Sequence, residues 1–386
     1  MCLYIIKLFF ESYNYDIMNM DVKNMRIIVS AGGTGGHIYP ALAIINKIKE
    51  MEPNSEILYI GTKDRMESSI IPSKNIPYFG IEIKGLNRKN IFKNITVVKQ
   101  FFDNVKIIKA EIKKFNPDVV IGVGGYVTAP VIYSAKKLGY KTFIHEQNSI
   151  PGLSNKFLVR YVDKIGVSLP DSVKYFPKNK TVFTGNPRSE EVFKSKEVSK
   201  KMLNLNLDEN KKLVLIVMGS LGSTTMNKNL KETLFLFKDK SYEVVFVTGK
   251  NYYDDYKKIE CSSNVKIVPY LENMPQVLKK TDLIVSRAGA SSISEITALG
   301  IPSILIPSPY VTHNHQFKNA KSLEDRGATV VIEESKYDGK YLVNKIDNIL
   351  DDSVLYKELS SKASSLGVRD SATKIYKILK NLINGD

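Results

Sequence analysis

The sequence predicts an α/β protein of two tandem domains, each a doubly wound parallel sheet. Three observations point there. The chain has 386 residues, more than twice the roughly 150 residues of one domain. Short β-branched runs alternate with helical stretches through most of it, the pattern of parallel βαβ units. That alternation comes in two series, separated at 184–200 by a charged stretch without apolar periodicity, as expected of a linker.

Composition bounds the class. Apolar residues make up 43% of the chain, enough for two cores, which excludes disorder, collagen and coiled coil as overall classes. Lys and Arg (56) outnumber Asp and Glu (40), a net charge of +16. Such a balance favours an anionic partner without choosing among nucleic acid, membrane and phosphorylated substrate. The two cysteines, Cys2 and Cys261, are far apart, which excludes a disulfide scaffold or a cysteine zinc cluster and fits a reducing cytoplasm. No run reaches the roughly 18 apolar residues of a spanning helix.

In chain order, residues 1–24 read as a leader or an upstream start. MCLYIIKLFF is apolar but has no basic region and no small-residue cleavage site, and 11–24 are polar. The first domain is expected over 25–185, opening on the strand Arg26–Ser30. Helices at 38–50, 65–72 and 128–138 alternate with strands at 57–60, 118–123 and 142–146. The second, 186–368, opens at Leu213 and continues with strands at 243–249, 265–270, 282–289 and 303–308. Residues 369–386 are expected to form a helix returning to the first domain. A ligand between two such sheets would sit off their carboxyl ends.

The glycines fall at those ends. Strand one runs through Gly32-Gly33-Thr34-Gly35-Gly36-His37 into a helix, and four glycines in five residues make a phosphate cradle of backbone amides. No Gly-Lys-Ser/Thr follows, so it is not a Walker loop, and no acidic residue ends strand two as a dinucleotide site requires. Gly122-Val123-Gly124-Gly125-Tyr126 is a second such loop, suggesting a diphosphate shared between the two. In the second domain, Gly219-Ser220-Leu221-Gly222-Ser223 and Arg287-Ala288-Gly289-Ala290-Ser291-Ser292 each present helix N-terminal amides. Glu295 follows Ser292 by three, which fits a capping box; alternatively its carboxylate accepts both ribose hydroxyls of a nucleotide. The four histidines, His37, His145, His313 and His315, are expected in loops after strands. His313 and His315 could suggest a metal, but no carboxylate cluster or further histidine accompanies them and no Asp-x-Asp occurs, so no metal site is expected.

GGTGGHIYPALA at 32–43, GVGGYVTAP at 122–130, HEQNSIPGLSNK at 145–156, TGNPR at 184–188, GSLGS at 219–223, SRAGASSISEI at 286–296 and HNHQFKNA at 313–320 occur in this order. Together they resemble the MurG family, the peptidoglycan UDP-N-acetylglucosamine transferases of the GT-B glycosyltransferase superfamily. The resemblance implies two Rossmann-like domains facing a cleft and an inverting transfer of N-acetylglucosamine from UDP-N-acetylglucosamine. The acceptor would be the muramyl 4-hydroxyl of undecaprenyl-pyrophosphoryl-N-acetylmuramyl-pentapeptide, at the cytoplasmic face of the bacterial cell membrane, with no cofactor. Donor contacts would fall on Thr34, Gly35, Gly36, Asn148, Arg188, Ser220, Leu271, Ala290, Ser291, Ser292, Ile293, Ser294, Glu295 and Gln316, with Asn319 near the sugar. His37 matches the position proposed as general base. Gly33, Gly35, Gly36, Gly124, Gly125 and Tyr126 would hold the acceptor pyrophosphate. The sequence departs from the family at Leu221, where Gln is usual, and at Arg287-Ala288-Gly289-Ala290, where Ser-Gly-Ala is more typical.

A lipid-linked acceptor requires contact with the membrane. Residues 74–114 carry ten basic and three acidic residues, and the loop Leu86 to Phe92 sets Arg88 and Lys89 beside Leu86, Ile91 and Phe92, as an anionic membrane surface requires. The helix at 94–115 is expected to be ordinary and amphipathic, with a solvated lysine face. No nucleic-acid motif occurs, so nucleic acid is not expected as a partner. A UDP-sugar transferase to a diacylglycerol lipid and a UDP-sugar 2-epimerase share the two-domain plan and remain the alternatives.

Overall fold

The computed structural model describes residues 24–85, 94–219, 222–311 and 314–385. The first sheet has seven parallel strands in the order β3-β2-β1-β4-β5-β6-β7: β1 (Arg26–Ser30), β2 (Glu56–Thr62), β3 (Tyr78–Ile81), β4 (Val119–Gly122), β5 (Lys141–Glu146), β6 (Lys164–Val167) and β7 (Thr181–Phe183). The second has six, in the order β10-β9-β8-β11-β12-β13: β8 (Leu213–Val217), β9 (Glu243–Val247), β10 (Val265–Val268), β11 (Leu283–Ser286), β12 (Ser303–Leu305) and β13 (Val330–Val331). The helices are α1 (Gly35–Met51), α2 (Glu67–Ile70), α3 (Asn94–Phe115), α4 (Thr128–Lys137), α5 (Leu153–Leu158), α6 (Pro187–Lys194), α7 (Thr224–Thr233), α8 (Met274–Lys279), α9 (Ala290–Leu299), α10 (His315–Glu324), α11 (Gly339–Asp351), α12 (Ser353–Leu366) and α13 (Ser371–Asn384).

Central strands of a doubly wound sheet bury both faces, so they read as continuous apolar runs. In β1, Ile27 and Val29 point into one core with Ile38, Ile44 and Ile48 of α1. Ile28 points into the opposite core with Ile108 of α3 and Val131 of α4. β8 repeats the design, with Val214 and Ile216 on one face and Leu213 and Leu215 on the other. Strand order reverses between β1 and β4 and again between β8 and β11. Those two switch points are where such sheets open a crevice for ligands.

The sequence reading does not list β3, β6, β7 and β13. Each has four residues or fewer, and none sits in a longer apolar run of the kind that marks the equally short β4, β10, β11 and β12. The stretch read as linker contains α6, begun by Pro187 at its first turn and by the Asn186 side chain, which accepts the Arg188 N–H. Its Val192 is fully buried, but eight residues are only two turns, too few for the period to be read. Helix α13 packs Ile375, Leu379 and Leu382 into the first-sheet core, and its Tyr376 and Lys380 both reach Glu52.

Glu190 ties three helices together. Its buried carboxylate accepts from Lys194 Nζ at 2.7 Å, from Lys47 Nζ at 3.1 Å, and from the Thr373 N–H and hydroxyl, both at 2.7 Å. Burial opposes its charge, but those four donors prevail and hold it down to about 2. His145, fully buried between Thr184 and the Gly185 carbonyl, is pushed down by burial to about 4. Both groups bind protons more weakly folded than unfolded, so each adds stability at neutral pH that is lost as pH falls. For His145 the loss runs from about 6.5 down to 4; for Glu190 it runs from about 4.5 down to 2, each on the order of 3 kcal/mol. Urea midpoints measured against pH should therefore fall in acid over both ranges. Glu190→Gln should be less stable at pH 7 and show a flatter profile below pH 4.5.

Candidate functional site

At the first switch point, β1 leads through Gly32 and Gly33 to Thr34, the extended N-cap of α1. Gly35 and Gly36 open the helix, where N–H groups lack intrahelical acceptors. The second glycine loop packs directly on the first: Gly32 N donates to Gly124 O at 3.2 Å, and a Cβ on Gly125 would stand 2.4 Å from Gly32 O. Gly124 and Gly125 both have positive φ, so glycine is required there for the turn and for this close approach. Gly33, expected to offer its amide to a pyrophosphate, instead donates it to Glu67 Oε2 at 3.1 Å. That amide points back into the protein because Glu67 lies behind the loop, completely buried.

His37 is the third residue of α1, and its Nδ1 lies 3.1 Å from Gly32 O and 3.4 Å from Thr34 Oγ1. The other edge of the ring lies over Gly124, where a Cβ would come within 2.9 Å of Nε2. Burial lowers its pKa from 6.5, only partly offset by the Gly32 carbonyl and by Glu146 and Glu67. The expectation that the histidines sit in loops fails for the three described: His37 lies in α1, His145 in β5 and His315 at the start of α10. In α1, Gly35 and Gly36 form the first turn, so the helix begins before its apolar period does; α10 starts from Asn314, which itself turns the chain with positive φ. His313 lies outside the described residues.

At the second switch point, Gly222 has positive φ and its N–H donates to Gly219 O, while Ser220 and Leu221 lie outside the described residues. Ser223, the N-cap of α7, accepts from Arg287 Nη2 at 2.7 Å. Arg287 also binds the Ile306 carbonyl and pairs with buried Glu334 at 2.6 Å. The Ser223 bond locks the loop after β8 to the end of β11, and the Glu334 pair ties both to the segment after β13. Helix α9 begins at Ala290, with Gly289 as N-cap and no side-chain cap, so Ser292 and Glu295 form no capping box. Ser291 Oγ is buried without a partner among the described residues, a hydroxyl left for a ligand. Two residues expected at the donor turn away: Ile293 is buried in the core, and the Ser294 hydroxyl donates to the Ser291 carbonyl. One helical turn carries successive side chains around the axis, so a contiguous stretch cannot all face one ligand.

Glu295 instead meets Arg188, at 3.2 Å from Nε and 3.1 Å from Nη2. Burial raises the Glu295 pKa, and Arg188 opposes the rise. Arg188 also pairs with Glu191 at 2.6 Å and lies 5.8 Å from the Tyr39 ring centroid. The guanidinium is thus already held by two carboxylates. Leu271 is a core residue, leaving only its backbone for a ligand. Gln316 Oε1 accepts the Ser308 N–H at 2.9 Å.

Asn319 is completely buried and bridges the two halves. Its Oδ1 accepts from Ser149 N at 3.0 Å and Ser149 Oγ at 2.8 Å, and its Nδ2 approaches Asn148 Oδ1 at 3.4 Å. Glu146 shapes the loop that reaches across, accepting from Asn148 N, Gly152 N and Asn155 Nδ2 at 2.8–2.9 Å. Arg326 pairs with Asp171 in a second bridge. Glu67, Glu146 and Ser149 are structural members of the site that sequence alone does not single out, and Arg287, notable in the sequence only within its loop, joins them through its side chain. Glu146 and Ser149 lie inside the HEQNSIPG motif, whereas no spacing signals Glu67.

Leu86, Arg88, Lys89, Ile91 and Phe92 lie outside the described residues. The neighbouring α3 is less ordinary than expected. Besides its lysines it exposes Ile95, Val98, Phe102 and Ile107. Phe101, Phe102, Tyr133, Phe157 and Tyr161 form a surface cluster with ring centroids 5.0–6.3 Å apart. No helix among the described residues is long and apolar enough to cross a membrane.

Two doubly wound parallel sheets, with glycine loops and helix N-termini at both switch points, define the GT-B fold. The description of the glycosyltransferase family 28 N-terminal domain matches residues 27–167, and that of the family 28 C-terminal domain matches 213–375. The chain belongs to glycosyltransferase family 28. It is 48% identical over 362 residues to the UDP-N-acetylglucosamine--N-acetylmuramyl-(pentapeptide) pyrophosphoryl-undecaprenol N-acetylglucosamine transferase of Bacillus licheniformis, covering 93% of this chain and 99% of that protein. The enzyme of the same name from Bacillus cytotoxicus is 47% identical, over 93% of this chain and all of that one. In structure it is similar to Acinetobacter baumannii MurG, with a TM-score of 0.74 at 24% identity, over 92% and 99% of the two chains. A putative UDP-N-acetylglucosamine 2-epimerase from Listeria monocytogenes shares the fold, with a TM-score of 0.68 at 14% identity, over 94% and 98%.

Proposed function

We propose that this protein transfers N-acetylglucosamine from UDP-N-acetylglucosamine to the muramyl 4-hydroxyl of undecaprenyl-pyrophosphoryl-N-acetylmuramyl-pentapeptide, with inversion. The carrying observation is near-half identity, over almost the full length, to enzymes named for this transfer. Residues 25–185 form the acceptor side and 186–368 the donor side, with 369–386 returning to the first. The acceptor oxygen attacks C1 of the sugar, the C1–O bond to UDP breaks with its electron pair, and the hydroxyl proton passes to His37 Nε2. The amides of Gly35 and Gly36 receive the acceptor pyrophosphate. The N-termini of α7 and α9, with Ser291 Oγ, stabilise the charge developing on UDP. Glu295 takes the ribose hydroxyls, and Arg188, paired with it, orients that carboxylate. Incubation with labelled UDP-N-acetylglucosamine or UDP-glucose, with and without a muramyl-pyrophosphoryl-polyprenol analogue, tests the reading. Acceptor-dependent transfer of N-acetylglucosamine is expected; acceptor-independent epimerisation would overturn it.

On this reading, a lipid-linked acceptor has the enzyme work at the cytoplasmic face of the cell membrane, on an anionic surface. The exposed apolar residues of α3 and the aromatic cluster of Phe101, Phe102, Tyr133, Phe157 and Tyr161 support a contact there, close in sequence to residues 86–92. The protein should float with vesicles containing anionic lipid, less with neutral ones and less in high salt. Ile95→Ser with Phe102→Ser should float less than wild type. Equal flotation would move the contact away from α3.

A further inference from the structure

Gly32 and Gly33 share one peptide group, and both of its polar atoms are engaged. The Gly32 carbonyl lies 3.1 Å from His37 Nδ1, and the Gly33 N–H donates to Glu67 Oε2 at 3.1 Å. A carbonyl oxygen only accepts, so the first bond requires the proton on Nδ1. That leaves Nε2 with its lone pair, the form a base needs. The second bond sets a carboxylate against the far side of the same peptide.

Glu67 is built into this position. Its Oε1 accepts from the Thr62 N–H at 3.2 Å and the Thr62 hydroxyl at 2.7 Å; with Gly33 these are three donors, matching an acceptor-only carboxylate. Two glycines make room for it. A Cβ on Gly32 would stand 2.2 Å from Oε1, and one on Gly61 would stand 2.8 Å from the Glu67 Cγ. The side chain is completely buried, so packing alone would be better served by an apolar residue.

We propose that Glu67 is a positioning residue for His37, acting through the Gly32–Gly33 peptide. The inference rests on the reading of His37 as base. A carboxylate polarises the peptide it accepts from, making the opposite carbonyl a better acceptor. The Nδ1–H bond is thereby strengthened and the imidazolium formed during proton transfer is stabilised, as a carboxylate does directly in a catalytic triad. The charged and titratable groups acting on His37 are Glu67 from α2, Glu146 from β5 and His315 from α10. The two carboxylates favour its protonated form and His315 disfavours it.

The test is nitrogen NMR of the full chain labelled in its four histidines, with the His37 signals assigned by their loss in His37→Ala. In wild type, Nδ1 should carry the proton at neutral pH. Glu67→Gln keeps the shape and removes the charge. It should lower the His37 pKa by about half a unit or more and lower kcat roughly 10-fold, with the KM for UDP-N-acetylglucosamine unchanged. In a His37→Ala background, Glu67→Gln should have no further effect on kcat. Thr62→Val, which removes only one anchor, should shift the pKa in the same direction by less, and it serves if Glu67→Gln fails to fold. An unchanged His37 titration and tautomer in both variants would overturn the relay, as would an additive loss of kcat in the double variant. Full turnover by His37→Ala would overturn the base reading instead, and the nitrogen spectra would still decide whether Glu67 holds the ring.

Discussion

His37→Ala is expected to lower kcat by about 100- to 10,000-fold, the usual contribution of a general base, while UDP affinity is unchanged. The imidazole bonds the Gly32 carbonyl and lies over Gly124, whereas the proposed donor groups Ser291 and Glu295 stand on α9, so its loss removes proton transfer and leaves those groups in place. Burial holds its pKa below 6.5, so the ring is neutral at pH 7 and ready to accept. A base works deprotonated, so kcat/KM should fall as pH drops through the His37 pKa, and that acid limb should lie below pH 6.5 and vanish in the variant. Steady-state rates at saturating acceptor, with calorimetry of UDP binding, check both halves. Full turnover would show that the proton leaves by another route.

Glu295→Ala is expected to weaken UDP binding by about 10- to 150-fold, the equivalent of 1.5–3 kcal/mol for lost charged hydrogen bonds. The carboxylate is enclosed, and Arg188 holds it in a two-point contact from Nε and Nη2. Both contacts fall on Oε1, which leaves Oε2 for the ribose hydroxyls and reduces the ordering required when the ribose arrives. Removing it also leaves Arg188 with Glu191 alone, which should show as a lower melting temperature. The two effects separate in a double-mutant cycle with Arg188→Ala: the melting changes couple strongly, whereas the UDP effect of Glu295→Ala should be reduced but not abolished when Arg188, which orients the carboxylate, is absent. A lower melting temperature with unchanged UDP affinity would make the pair purely structural.

Much of the architecture was legible because it is local. Ile27, Ile28 and Val29 are consecutive and apolar because a central parallel strand buries both faces, and that signal needs no knowledge of partners. The glycines at 32–36, 124–125 and 219–222 mark strand ends where the backbone must turn sharply. The same local view misses β13, a two-residue edge strand, and reads the charged α6 as linker because two turns are too short to reveal a buried face.

The chemistry of the site divides the same way. Residue types and their order sufficed to mark the glycine loops at the strand ends and to single out His37 and Glu295 as candidates, whereas the switch points needed the strand order of the folded sheets. Nor could type and order say which way each group points. The Gly33 amide is turned inward by a carboxylate 34 positions along the chain, Glu295 is held by an arginine 107 positions away, and Asn319 is consumed by Ser149 at a separation of 170. The direction of a hydrogen bond is set by the nearest complementary group in space. Folding brings those groups together across distances that no short period or motif records.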